Sequence, residues 1–147
     1  MKAGRFVASA VAVWIVRVAL NWAFYSKVIG AQAEQISAAH PGMFRQVVPA
    51  YILVDLLFAL AFSYLFVKVG PAFGGGVMAG VELGLLVAIL SPVLSSLYQY
   101  FSVTYLPGRL AVAEAVFQVI AHAIEGAAVG VVYRAQTAPS PQAAGAR

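Results

Sequence analysis

Arg17, Asp55, Glu82, Glu114, His122 and Glu125 all lie inside stretches of sequence that are otherwise apolar, and Asn21 and Gln118 add two amides to those stretches. Four of the five acidic residues of the chain are in this group, against a single one of its nine lysines and arginines. A charged side chain at the centre of a membrane helix costs roughly 2.5 to 3.5 kcal/mol, so these groups are expected to turn into a protein interior and pair there. An acid left without a partner at low dielectric takes up a proton or binds a cation. The chemistry within reach is therefore proton or small-cation handling, with Asp55, His122 and Glu125 as the working groups and Arg17 as their counter-charge.

Spacing sharpens the grouping. Glu114, Gln118 and His122 are four residues apart and Glu125 follows three later, so at about 100° per residue all four fall within a sector of about 80° on one helix. Arg17 and Asn21 are likewise one turn apart on a common face. Matching of depth makes Asp55 or Glu125 the expected partner of Arg17. A structural alternative uses the same residues: Arg17 clamps two acids, Glu82 and Glu114 reach the membrane surfaces, and His122 bonds Gln118 or a carbonyl. His122 and Glu125 at i and i+3 could share an ion with Asp55 or Glu82, but one histidine is a sparse donor set and no metal is expected. His40, beside Pro41, reads as an exposed loop residue.

The chain has no cysteine, which removes thiolate metal sites and cysteine nucleophiles. It has no Walker loop, no nucleophile elbow and no His-Glu-x-x-His run, and Gly74-Gly75-Gly76 is not followed by a lysine. Neither a catalytic residue nor a cofactor is expected. An intramembrane enzyme would need a nucleophile-and-base arrangement, and none is recognisable in the sequence.

The elements that must position these groups follow from composition. Of 147 residues 63% are hydrophobic and 10% charged, with a mean hydropathy of +0.90, far from the roughly 25% charged residues usual in soluble domains. A bilayer core about 30 Å thick takes about 20 apolar residues per helix. Four such runs are present, over about 6–29, 47–69, 76–101 and 110–133. They are too long and too closely spaced for the strands of a barrel. The expected fold is all-α, a single integral membrane four-helix bundle of up-down-up-down topology spanning 1–136. The basic start and Ala31-Gln32-Ala33 also admit a cleaved signal peptide; the length of the first run, interrupted by Arg17, Asn21 and Tyr25, favours an uncleaved anchor. A short interfacial helix is expected over 33–39, and a disordered tail over 137–147. Lys2, Arg5, Lys68, Arg134 and Arg147 on one side, against Lys27, Arg45 and Arg109 on the other, place both termini in the cytoplasm. Basic residues scattered singly near span ends argue against a nucleic-acid partner.

Helices in a bilayer associate through close backbone packing, which small residues permit. Gly76, Gly80, Gly84 and Ala88 recur every four residues in the third run, and Gly126 and Gly130 do so in the fourth. These stripes serve packing within one bundle or dimerisation. Pro92, among Ser91, Ser95 and Ser96, is expected to kink the third helix and act as a hinge or shape a cavity.

Residues 51–134 carry Gly80-x-x-x-Gly84-Leu85-Leu86, an aromatic-proline connection at Tyr105-Leu106-Pro107, and Gln118 followed by Gly126 and a closing Tyr133-Arg134. In these features the chain resembles a group of small four-span bacterial membrane proteins of uncharacterised function. Members of that group carry a basic residue where this chain has Glu82, and an acidic residue and a histidine where it has Asn21 and Tyr25. The resemblance implies a bacterial inner-membrane protein of the same topology.

Two functions are expected from these readings. One is a small proton- or cation-coupled transporter or channel, acting as a homo-oligomer because four helices enclose little. The other is a non-catalytic accessory subunit that docks into a larger membrane complex through its glycine stripes.

Overall fold

The computed structural model describes residues 3–42, 48–103 and 106–134. Lys2, Arg45, Val47, Tyr105 and the expected tail over 137–147 lie outside the described residues.

Every regular element among the described residues is helical: α1 (Ala3–Ala23), α2 (Gly30–Ala39), α3 (Val48–Val69), α4 (Gly76–Ala88), α5 (Leu94–Ser102) and α6 (Gly108–Arg134). Three short irregular turns extend or join them. A π-turn over Phe24–Val28 continues α1, a 3-10 turn over Gly70–Phe73 continues α3, and a π-turn over Ile89–Val93 joins α4 to α5. Counted with these turns, Ala3–Val28, Val48–Phe73, Gly76–Ser102 and Gly108–Tyr133 are each long and apolar enough to cross a bilayer. At 1.5 Å per residue each reaches about 39 Å, more than the hydrocarbon thickness. The helix expected over 33–39 begins three residues earlier, at Gly30.

The link between the second and third spans shows how local sequence sets topology. Pro71 stands in the first turn of the 3-10 segment, and Gly74 and Gly75 follow at φ +84° and +73°, a left-handed backbone that glycine adopts without steric cost. The Gly75 N–H donates to Gly70 O at 3.1 Å and that of Gly74 to Pro71 O at 3.2 Å, so the reversal satisfies the carbonyls it exposes. Pro92 sits inside the second π-turn. It cannot donate a backbone hydrogen bond, and the wider turn takes up that loss within a continuous helix.

The first span packs against the second and the fourth, and the fourth packs along the third. Val13, Ala59, Phe62, Phe66, Ala79, Leu83 and Val129, contributed by all four spans, form the central core. The third and fourth spans meet backbone to backbone. A Cβ on Gly80 would run into the Gly126 carbonyl, one on Gly84 into the His122 carbonyl, and one on Gly126 into the Gly80 carbonyl. A Cβ on Gly130 would lie 2.6 Å from Val77 Cα. Ala88 is fully buried farther along α4. Gly76 differs from its companions in the stripe: its own Cβ position is open space, its φ is +75°, and it meets Gly130 through its backbone. It starts the helix, whereas Gly80 and Gly84 make the close approach.

Candidate functional site

Three spans converge on one guanidinium. Arg17, on α1, donates from Nε to Asp55 Oδ1 on α3 at 2.9 Å, and from Nη1 to Glu125 Oε1 and Oε2 on α6 at 3.1 and 3.3 Å. Asn21, one turn along α1, donates from Nδ2 to both oxygens of Asp55 at 3.3 and 3.4 Å. The guanidinium carbon lies 3.8 Å from the centroid of the Phe58 ring, a cation–π contact. Phe58 also meets His122 edge to face at 5.2 Å, and His122 Nδ1–H donates to the Gln118 carbonyl at 2.8 Å.

Burial is uneven across the cluster. The Glu125 side chain is 1% exposed, whereas Arg17 and Asp55 are 15% and 14% exposed. The cluster is thus closed on the α6 side and opens slightly between α1 and α3. It holds two carboxylates against one guanidinium. With all three ionised it carries one uncompensated negative charge, which a low-dielectric site tolerates poorly.

Glu114 belongs to a separate contact. It is half-buried and accepts from the Tyr25 hydroxyl at 2.8 Å, beside the stacked rings of Phe24 and Phe117. Tyr25→Phe removes this bond and is expected to cost about 1 kcal/mol, less than is usual for a bond to a charged group because the tyrosine is exposed. Reversible unfolding of parent and variant in the same detergent measures it. Gln118 is buried and joins the site through its carbonyl.

Glu82 departs from the expectation that the intramembrane acids face the interior: it is exposed on the outer surface of α4. The reason is geometric. Glu82 is two residues from both Gly80 and Gly84, about 160° around the helix from each, so the glycine seam that joins α4 to α6 turns Glu82 outward. His40 is half-buried where α2 ends, with its N–H on the Ile36 carbonyl at 3.1 Å.

Phe58, in the cluster, and Tyr25, in the separate contact with Glu114, are the residues that motif reasoning missed, and both carried a signal. Phe58 follows Asp55 by three residues and so shares its face; Tyr25 continues the four-residue spacing of Arg17 and Asn21. Among the described residues no three histidine, aspartate or glutamate side chains come together as a metal site would require.

Fold and site together define the class: a multi-pass helical membrane protein whose spans are joined by an internal ion cluster. Comparison with family models, with curated proteins and with solved structures finds no match to this chain.

Proposed function

We propose that the protein is a small proton- or cation-coupled transporter or channel that works as an oligomer in a bacterial inner membrane, with its N-terminus in the cytoplasm. The observation that carries this reading is the two-to-one count of carboxylates to guanidinium at Arg17, Asp55 and Glu125. Electroneutrality at that depth calls for one further positive charge, and a proton or small cation is the species that supplies it. His122, packed on Phe58 beside the cluster, is a second group able to take a proton. Arg17 and Asp55 keep a slight exposure, and in an oligomer a neighbouring subunit would cover it. The resemblance of residues 51–134 to four-span bacterial proteins supports the membrane assigned.

Reconstitution in vesicles holding a pH-sensitive dye tests this. Proton or cation flux is expected in the parent and is expected to be lost in Asp55→Asn and in Glu125→Gln, both of which keep a polar group of the same shape. Flux retained in both variants overturns the reading.

Exposed Glu82 favours a second reading, an accessory subunit of a larger membrane complex. A carboxylate on the outer face of a membrane helix is stabilised by a partner's donor more than by lipid. Purification from the native membrane in stoichiometric association with other proteins, lost in Glu82→Ala, would establish it.

A further inference from the structure

The first span carries a groove whose lining includes none of the residues of the ion cluster. Trp14, Ile15, Val18, Ala19 and Trp22 line it, it measures about 340 Å³, and its walls are almost wholly apolar. Ala19 has the smallest side chain of the five and stands between the two tryptophans in the sequence. Trp14 is fixed by its Nε1–H, which donates to the Ile52 carbonyl of the next span at 3.3 Å. Trp22 is held from the other end, where the Lys27 ammonium lies 5.5 Å from its ring centroid.

Position along the span gives the groove a direction. Lys27 lies one residue from the end of Ala3–Val28, which by the length of the span would put it at the height of lipid headgroups, with Trp22 just below. Trp14 is eight residues deeper than Trp22, about 12 Å into the hydrocarbon. All five aspartate and glutamate side chains of the chain are among the described residues, and none of them forms a salt bridge with Lys27. An ammonium with no carboxylate partner among the described residues, at the end of a span above an apolar slot, is complementary to one class of molecule, a phospholipid with an anionic headgroup.

We propose that this groove is a binding site for an anionic phospholipid, with the headgroup on Lys27 and one acyl chain lying between Trp14 and Trp22 over Ala19. The site is independent of proton or cation handling by the cluster.

Trp14 and Trp22 are the only tryptophans in the chain, so intrinsic fluorescence reports on this groove alone. The full-length protein is reconstituted in phosphatidylcholine vesicles containing a minor fraction of phosphatidylglycerol, with acyl-chain bromines placed on one lipid or the other at equal mole fraction. Brominated phosphatidylglycerol is expected to be favoured about fivefold at the tryptophans, the ratio that about 1 kcal/mol per lysine at an anionic surface amounts to. Lys27→Ala is expected to remove the preference, and Ala19→Leu, which fills the slot, to lower quenching by the anionic lipid to the level of the zwitterionic one. Equal quenching by the two lipids in the parent overturns the proposal. So does a preference that survives Ala19→Leu, which would mark general attraction to a basic surface. Quenching by both lipids that appears only on dilution of the protein in the membrane overturns it in favour of a second copy of the chain in the groove.

Discussion

Gly80→Ala and Gly84→Ala are each expected to destabilise the bundle by about 3 kcal/mol or more, the upper end of what inserting a methyl group into a packed interior costs. The neighbour each new Cβ would strike is a backbone carbonyl of α6, at Gly126 and His122 respectively, and backbone has no alternative rotamer to retreat into. The helices must separate along the seam or slide past one another. Either movement also displaces His122, whose carbonyl is the atom that Gly84 meets, and with it the turn of α6 that carries Glu125. Gly4→Ala is the control: it sits in the same protein, in a helix, with nothing within 4 Å of the new Cβ, and is expected to change stability by less than about 0.5 kcal/mol. Titration with a denaturing detergent, read by far-ultraviolet circular dichroism, measures all three. A Gly80→Ala variant as stable as Gly4→Ala would show that the two spans do not meet backbone to backbone.

Arg17→Met is expected to cost about 3 to 5 kcal/mol, because it strands two carboxylates that the guanidinium now holds. The size of the loss comes from the acids left behind more than from the bonds removed. Adding Asp55→Asn and Glu125→Gln to Arg17→Met is therefore expected to recover most of the stability, as replacing a whole buried ion cluster by neutral groups often does. Glu125→Gln alone leaves the Arg17–Asp55 pair intact and gives Nη1 an amide oxygen in place of a carboxylate, at an expected cost of about 1 kcal/mol. The same unfolding measurement orders the four proteins. If the triple variant proved less stable than Arg17→Met, the cluster would contribute net stability beyond compensation of its own charges.

Much of the site was legible once helical periodicity was applied to each span separately. The grouping of Gln118, His122 and Glu125 on one face of α6, and of Arg17 with Asn21 on α1, follows from spacing alone, and the three α6 residues are buried. Glu82 was legible too. Its distance of two residues from Gly80 and from Gly84 placed it opposite the stripe expected to pack, so glycine packing and an inward Glu82 were incompatible expectations. The lesson is that polar and small-residue faces of one membrane helix must be resolved against each other before either is assigned to the interior. The partners of Arg17 were legible as candidates: depth named Asp55 and Glu125, the structural alternative had one guanidinium clamping two acids with His122 on Gln118 or a carbonyl, and the helices bring these contacts together. What spacing left open was whether Arg17 takes one acid or both.

By itself the sequence determined that this protein is helical and crosses a bilayer, because each of four runs is apolar over the length that hydrocarbon demands and unpaired backbone groups have no water to turn to there. Only the tertiary structure decided which charges meet. Periodicity ranks residues by angle on their own helix, whereas contact depends on how neighbouring helices are rotated and how closely they approach. That rotation is set here by backbone contact at Gly80, Gly84 and Gly126, and by the single cation that three spans share.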